Sequence, residues 1–318
     1  MDEFELIRRF FVRPPGDGVL IGIGDDGAVL SPSPGRVLVS VVDTMVEGVH
    51  WPASLPPADV GWRAVAVNVS DVAAMGGRPR WMTLALTLAT ADEAWLDAFA
   101  RGLFEAADRY ATALVGGDVT RGREIVASVQ VTGEVEPDRI LRRSGAAAGQ
   151  GIYVTGAPGE AAGGLELLRD ATLGAGDAER ARLVARFARP DVRAELALAI
   201  APLAAAAIDV SDGLFADAGK LLAASGCGGR IEVTALPRSP ALERVFGTEA
   251  AARLTLAGGD DYELCFTADR DRETAIRDVA ARHGVAMTRI GEVTGGDRLV
   301  LTREGSEIAF QDPGYRHF

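Results

Sequence analysis

The chain holds a single lysine, Lys220, with two cysteines and three histidines among its 318 residues. Each shortage removes a class of function. A Walker-type phosphate loop needs G-x-x-x-x-G-K-[ST], but Lys220 is followed by Leu221, and Leu214 stands where the first glycine belongs. No V-A-I-K or H-R-D kinase signature occurs either. Cys227 and Cys265 lie far apart without a C-x-x-C, so neither a disulfide framework nor a zinc site is indicated, and both read as inert core residues. Long apolar runs are missing, and the amino end, MDEFELIRRFF, is acidic and amphipathic, unlike a signal peptide. A basic surplus is missing too: 45 acids against 33 bases leave a net charge of −12, which argues against nucleic acid or an anionic membrane as partner. A cytoplasmic protein is expected.

What is present describes an ordinary globule, 48% apolar and 25% charged. The chain is long for one core, so two domains are expected. Helical and strand patterns alternate throughout: a helical amino end, strands around Ile21 and Val37–Val42 read as a pair, a helix over Ala58–Met75 closed by Gly76-Gly77, then strand, amphipathic helix, and strands ending at Asp118 and Val135. RRSGAAAGQG (Arg142–Gly151) is the best linker, dividing the chain into 1–145 and 146–318. After it the alternation resumes, and two α/β or α+β domains follow from the pattern. Val-Ser-Asp and Gly-Gly-Asp occur once in each half, but words this short recur by chance and carry no argument.

Gly22–Gly27, in VLIGIGDDGAVL, spells G-x-G-x-x-G, with Asp43 at about the distance of a ribose-binding acid. The fingerprint requires a helix to start at the glycines. Here Pro32 and Pro34 forbid one, the text reads as strand, turn, strand, and Asp25 and Asp26 would repel a pyrophosphate. The dinucleotide reading fails. Two carboxylates on a glycine turn still need a reason.

Aspartates recur where elements end: Asp25, Asp26, Asp43, Asp118, Asp209, Asp212, Asp260 and Asp261. Turn and N-cap preference is the plain explanation for any one of them, and Ser211 reads as a helix cap. Asp71 fits that explanation poorly. It shares a helix face with Asn68 amid alanines and valines, where a carboxylate is costly to bury alone. Arg63 could pair with it; the other solution is a divalent cation. Hard cations such as Mg²⁺ take carboxylate oxygens together with substrate phosphates, and glycines beside Asp25-Asp26 would let a metal–phosphate cluster approach the backbone.

In order, GIGDDGAVL, DTMVEGVHW, NVSDVAAMGG, GGDVTRG, RSGA, VTGAPGEAAGGL, IDVSDGL and GGDDYEL closely resemble the thiamine-monophosphate kinase family, of the PurM-like ATP-binding superfamily, over essentially the whole chain. The resemblance implies a two-domain PurM-like α/β (α+β) fold, whose amino-terminal mixed sheet contributes to a barrel across a homodimer. It implies transfer of the γ-phosphoryl group of ATP to thiamine phosphate with several Mg²⁺ ions. Residue by residue it places magnesium ligands on Asp26, Asp43, Asp71, Asp118, Asp209 and Asp212. Nucleotide contacts fall on Gly117, Asp118, Arg143 and Ser211, with Tyr110 besides. Thiamine-side contacts fall on His50 and Asp260. On sequence alone His50 could be an ordinary loop histidine and Arg143 a solvated linker arginine. Aminoimidazole ribonucleotide synthetase, of the same superfamily, is the runner-up, and a non-catalytic nucleotide- or metal-binding module the reading from another class.

The chain departs from the family's pattern in three places. Val41 and Val42 stand where hydroxyl residues are usual, Asp260 where glutamate is usual, and Asp312 where an aromatic usually faces the thiamine. Tyr315, Phe318 or Trp51 would then supply any ring contact. The acceptor, a phosphate monoester, is already anionic near neutral pH, so no general base is expected. Direct in-line transfer governed by positioning and charge neutralisation is the expected chemistry.

Overall fold

A computed structural model describes residues 2–312, 314 and 315. The chain forms two compact units: one of residues up to Ala73 with Gly77–Asp138, the other of Ala74–Gly76 with Arg139 onward.

The amino-terminal unit opens with α1 (Glu3–Phe10), whose start is fixed by Asp2 accepting the Glu5 N–H at 2.7 Å and whose acids and bases lie at the ends that favour them. β1 (Val19–Ile21) and β2 (Val29–Leu30) form a small antiparallel ribbon around the glycine turn. This corrects one pairing: Ile21 faces Val29, not the Val37 strand, because the turn closes the ribbon before Pro32 and Pro34. No helix follows the glycines, as the prolines required.

β3 (Val37–Val46), α2 (Pro57–Ala74), β4 (Arg78–Leu88), α3 (Glu93–Arg109), β5 (Ala113–Arg121) and β6 (Val126–Val135) complete this unit. The sheet is mixed, in the order β3-β6-β4-β5, with β4 and β5 parallel and the other pairs antiparallel. Alternation along β3 sorts its side chains: Val39 and Met45 are buried, while Leu38, Ser40, Val42 and Thr44 stand exposed. α2 is buried almost all round, from Val60 to Ala73, and so lacks an amphipathic stripe. α3 has one, with Leu96, Phe99, Leu103 and Ala107 buried at helical spacing behind an Asp92 cap.

The carboxyl-terminal unit contains β7 (Gly151–Thr155), α4 (Glu160–Arg169), α5 (Asp177–Ala188), α6 (Ala194–Ile200), β8 (Ala206–Val210), α7 (Leu214–Ala224), β9 (Gly228–Glu232), α8 (Pro240–Phe246), α9 (Thr248–Ala257), β10 (Glu263–Ala268), α10 (Glu273–His283), β11 (Met287–Thr294), β12 (Leu299–Arg303) and β13 (Ser306–Ile308). Seven strands run β13-β12-β9-β11-β7-β10-β8, antiparallel except for β9 with β12. β7, β8 and β10 are buried at every position, with Ile152, Val154, Ile208, Val210, Cys265 and Leu222 in one core. Buried Glu263 ties the layers together, receiving a two-pronged Arg193 contact at 2.7 Å, Arg186 at 2.7 Å and the Thr155 hydroxyl at 2.6 Å. Burial alone would raise its carboxyl, but the two arginines and Thr155 outweigh it and hold the group below the usual range.

Where α3 crosses α2, a methyl group at Gly102 would lie 1.7 Å from the carbonyl oxygen of Ala58. Alanine at that position gains about 1 kcal/mol of helix propensity. The clash is with backbone and cannot be relieved by a rotamer, so overpacking of roughly 1–3 kcal/mol prevails. Gly102→Ala is expected to lower the denaturant midpoint of this unit; an unchanged or raised midpoint would show that the helices separate freely.

Candidate functional site

The expected site residues fall into both units. In the amino-terminal unit, Asp25 and Asp26 lie exposed on the turn between β1 and β2, where the Asp26 N–H donates to the Asp25 carboxylate at 2.9 Å. A cavity of about 740 Å³ joins this turn to Gly116, Gly117 and Asp118 of β5 and to Phe4, Arg8 and Phe11 of the amino-terminal segment. Asp26, Gly117 and Asp118 therefore share one wall-lined space. Gly117 packs flat on β4: a side chain there would lie 1.9 Å from the Leu84 carbonyl oxygen, and its φ of 153° is open to few other residues.

Asp43 sits in β3 with its backbone held from below. The Asn68 side chain accepts the Asp43 N–H at 2.8 Å and donates to the Ala64 carbonyl at 3.0 Å, so buried Asn68 clamps α2 to the strand at this residue. Asp71 lies one turn further along α2 and is partly exposed, while Arg63 is almost fully buried. At the end of β3 the Val46 N–H donates to His50 Nδ1 at 3.0 Å, which leaves the imidazole proton on Nε2. Tyr110 is buried, edge-on to Trp62 with centroids 6.1 Å apart. Trp51 is 3% exposed and belongs to the core.

In the carboxyl-terminal unit Asp209, Ser211, Asp212 and Asp260 meet at one strand end. Buried Asp209 lies in β8 opposite Leu264. α7 begins only at Leu214, so Ser211 does not cap it; the expectation of a cap fails because the Asp217 carboxylate reaches back from the first turn. One oxygen of Asp217 accepts the N–H groups of Ser211, Asp212 and Gly213 at 3.0, 2.9 and 3.1 Å. Its other oxygen accepts Lys220 Nζ at 2.7 Å, and Lys220 also pairs with Asp212. Burial raises the Asp217 carboxyl, against the downward pull of Lys220 and the Asp212 amide.

The carbonyls of the same turn are used from the other side. Val210 accepts the Tyr262 N–H at 2.9 Å, Ser211 the Asp260 N–H at 2.8 Å and Asp212 the Tyr315 N–H at 3.0 Å. Asp312 pairs with Arg253 at 3.0 Å, so the position where an aromatic is usual is an ion pair on α9. Tyr315 is 45% exposed and Phe318 lies outside the described residues. Arg143 is exposed, and its carbonyl accepts the Ser225 hydroxyl at 3.1 Å. Asp217 and Lys220 were not singled out as site residues. The available signal was an acid in the first turn of the helix.

The donors offered are carboxylate oxygens, the type that hard divalent cations take. Among the described residues, no three His, Cys, Asp or Glu side chains are gathered closely enough to hold a metal by themselves. No helix among the described residues is long and apolar enough to cross a membrane.

Two family descriptions match the chain: AIR synthase related protein, N-terminal domain, over residues 24–135, and its C-terminal domain over residues 147–304. Thiamine-monophosphate kinase of Escherichia coli K12 is 44% identical over 99% of this chain and 98% of its own length. The crystal structure of thiamine-monophosphate kinase from Stenotrophomonas maltophilia K279a is 41% identical, with a TM-score of 0.86 over 96% of each chain. A structure described as AaThiL complexed with AMPPCP and TMP is 33% identical, with a TM-score of 0.80 over 93% of this chain and 92% of that one.

Asp217→Ala removes the common acceptor of three amides, of which that of buried Gly213 is left unsatisfied at a cost of about 1–3 kcal/mol. Hydrogen exchange at Ser211, Asp212 and Gly213 is expected to accelerate together in that variant. Lys220→Met should leave the three amides protected. Unaltered exchange in Asp217→Ala would mean that the turn is held by something else.

Proposed function

The chain belongs to the thiamine-monophosphate kinase family, and on that premise we propose that it transfers the γ-phosphoryl group of ATP to thiamine phosphate, forming thiamine diphosphate and ADP. The observation that carries this reading is the likeness, over nearly all of both chains, to a relative described in complex with AMPPCP and TMP.

The nucleotide contacts we assign are Gly117, Asp118, Arg143 and Ser211, with Tyr110, which is buried and packs on Trp62, besides. Thiamine phosphate would meet His50, which holds a proton on Nε2 to donate, and Asp260, whose carboxylate suits the cationic thiazolium. Among the described residues of the carboxyl-terminal unit Tyr315 is an exposed aromatic, and it would take the place of the ring that Asp312 lacks. Asp26, Asp43, Asp71, Asp118, Asp209 and Asp212 would hold Mg²⁺, with phosphate oxygens completing the shells. Bound Mg²⁺ would supply neutralisation of phosphate charge that a lysine loop supplies elsewhere.

No residue needs to abstract a proton, because the attacking phosphate oxygen is already anionic near neutral pH. Nor is a phosphoryl-enzyme required. Cys265 is fully buried and its thiol is pushed up to about 12, chiefly by burial, which removes it as a nucleophile. What the protein contributes is alignment of two anions, with glycine and backbone amides allowing close approach.

We also assign a homodimer. Leu38 and Val42 are 54% and 64% exposed on the open face of β3, beside a hydroxyl and amide array in which Gln130 bonds Ser40 at 2.9 Å and Thr132 at 2.8 Å. A second copy of this chain would cover that face. Sedimentation should give a dimer for the protein and a monomer for Val42→Lys; a variant that remains dimeric would place the interface elsewhere.

Incubation with ATP, Mg²⁺ and thiamine phosphate, followed by phosphorus NMR, is expected to give thiamine diphosphate and ADP in equal amounts. ADP without thiamine diphosphate would reject the acceptor. Asp71→Asn keeps the side chain's shape and removes its charge, so turnover should fall on the order of a hundredfold with the melting temperature preserved. Wild-type turnover in this variant would remove Asp71 from the metal ligands, and unfolding would favour a structural ion pair with Arg63.

A further inference from the structure

The segment Asp260-Asp261-Tyr262 has a backbone that its residue types do not favour. Asp260 has φ 60° and Tyr262 φ 52°, both in the left-handed region, which is uncommon for aspartate and an outlier for a bulky aromatic. Hydrogen bonds on every side hold it there. Between the two residues, Asp261 is fully buried and accepts the N–H groups of Gly159 at 2.7 Å and Ala161 at 3.3 Å, at the start of α4. The amides of Asp260 and Tyr262 donate to the Ser211 and Val210 carbonyls. With Asp261 turned inward, its neighbours project from the same side, and the Tyr262 hydroxyl donates to Asp260 Oδ1 at 3.1 Å.

We propose that Tyr262 is a positioning residue for substrate recognition: its phenol fixes one oxygen of Asp260 and so aims the carboxylate at the cationic ring of thiamine phosphate. This rests on the function proposed above. The chemistry of the donor supports it. A phenol orients a carboxylate without adding a charge of its own. Aspartate is one methylene shorter than the glutamate usual here, so the carboxylate must be set by its surroundings rather than by its own reach. A left-handed Tyr262 turns the ring back over the residue two before it; the strained backbone is what makes the contact.

Tyr262→Phe keeps the ring and removes the hydroxyl. In steady-state kinetics the Michaelis constant for thiamine phosphate is expected to rise about three- to tenfold, the net value of one ordinary hydrogen bond, with that for ATP and the melting temperature unchanged. Calorimetric binding of thiamine phosphate should weaken by the same factor. In an Asp260→Asn background the same substitution should have no further effect, since Tyr262 acts only through that carboxylate. An unchanged constant for thiamine phosphate, an equal effect in both backgrounds, or a parallel loss of ATP affinity and melting temperature would each overturn the proposal. A wild-type protein that leaves thiamine phosphate unconverted would reject the functional reading itself, separately from anything the variant does.

Discussion

Three successive amides, those of Ser211, Asp212 and Gly213, converge on one oxygen of the buried Asp217 carboxylate. The rest of the carboxyl-terminal site depends on that convergence. It forces the chain leaving β8 into a tight turn before α7 can begin, and so turns the carbonyls of Val210, Ser211 and Asp212 outward. Those carbonyls receive Tyr262, Asp260 and Tyr315, so that the strand end, the Gly-Gly-Asp-Asp loop and the terminal segment share one backbone frame. Shifting the turn would displace all three. Lys220 completes the arrangement by bridging Asp217 and Asp212, which keeps two neighbouring acids compatible.

The amino-terminal unit positions its carboxylates by a different route. Asn68, an uncharged side chain on a buried helix, fixes the backbone at Asp43. Gly117 lets β5 lie against β4 so that Asp118 and the Asp25-Asp26 turn open onto one cavity. In the amino-terminal unit the acids are placed by uncharged groups, while in the carboxyl-terminal unit Asp217 and Asp212 share one lysine. Such a design suits cations and phosphates brought together at the moment of binding. A lysine-based phosphate loop would have supplied the positive charge permanently.

Much of this was legible in the sequence. The prolines after Gly27 excluded a dinucleotide fold, and the structure places that glycine turn in a ribbon of two short strands. Helical spacing located α3 to within a residue, since its buried positions recur at the helical period, and the stop at Gly76-Gly77 located α2, which is buried almost all round. The partner of Ile21 was misread because alternation identifies strands but not their neighbours. Ser211 was misread as a cap because the residue type fits that role; only the structure shows Asp217 outcompeting it. Asp217 left only the faint signal of a first-turn acid, and Tyr262 could not be found from spacing, since its contact depends on left-handed residues that no residue pattern encodes. Asp312 is the reverse case: its departure from the family's pattern was plain, and its pairing with Arg253 was not.

The account makes this protein an aligner of two phosphates, with no phosphoryl group ever resident on the enzyme. The stereochemistry of transfer tests that most directly. With ATP made chiral at the γ-phosphorus by oxygen isotopes and sulfur, direct in-line transfer to thiamine phosphate predicts inversion of configuration in the thiamine diphosphate formed. Retention would require two displacements, hence a phosphorylated side chain, and would contradict the account.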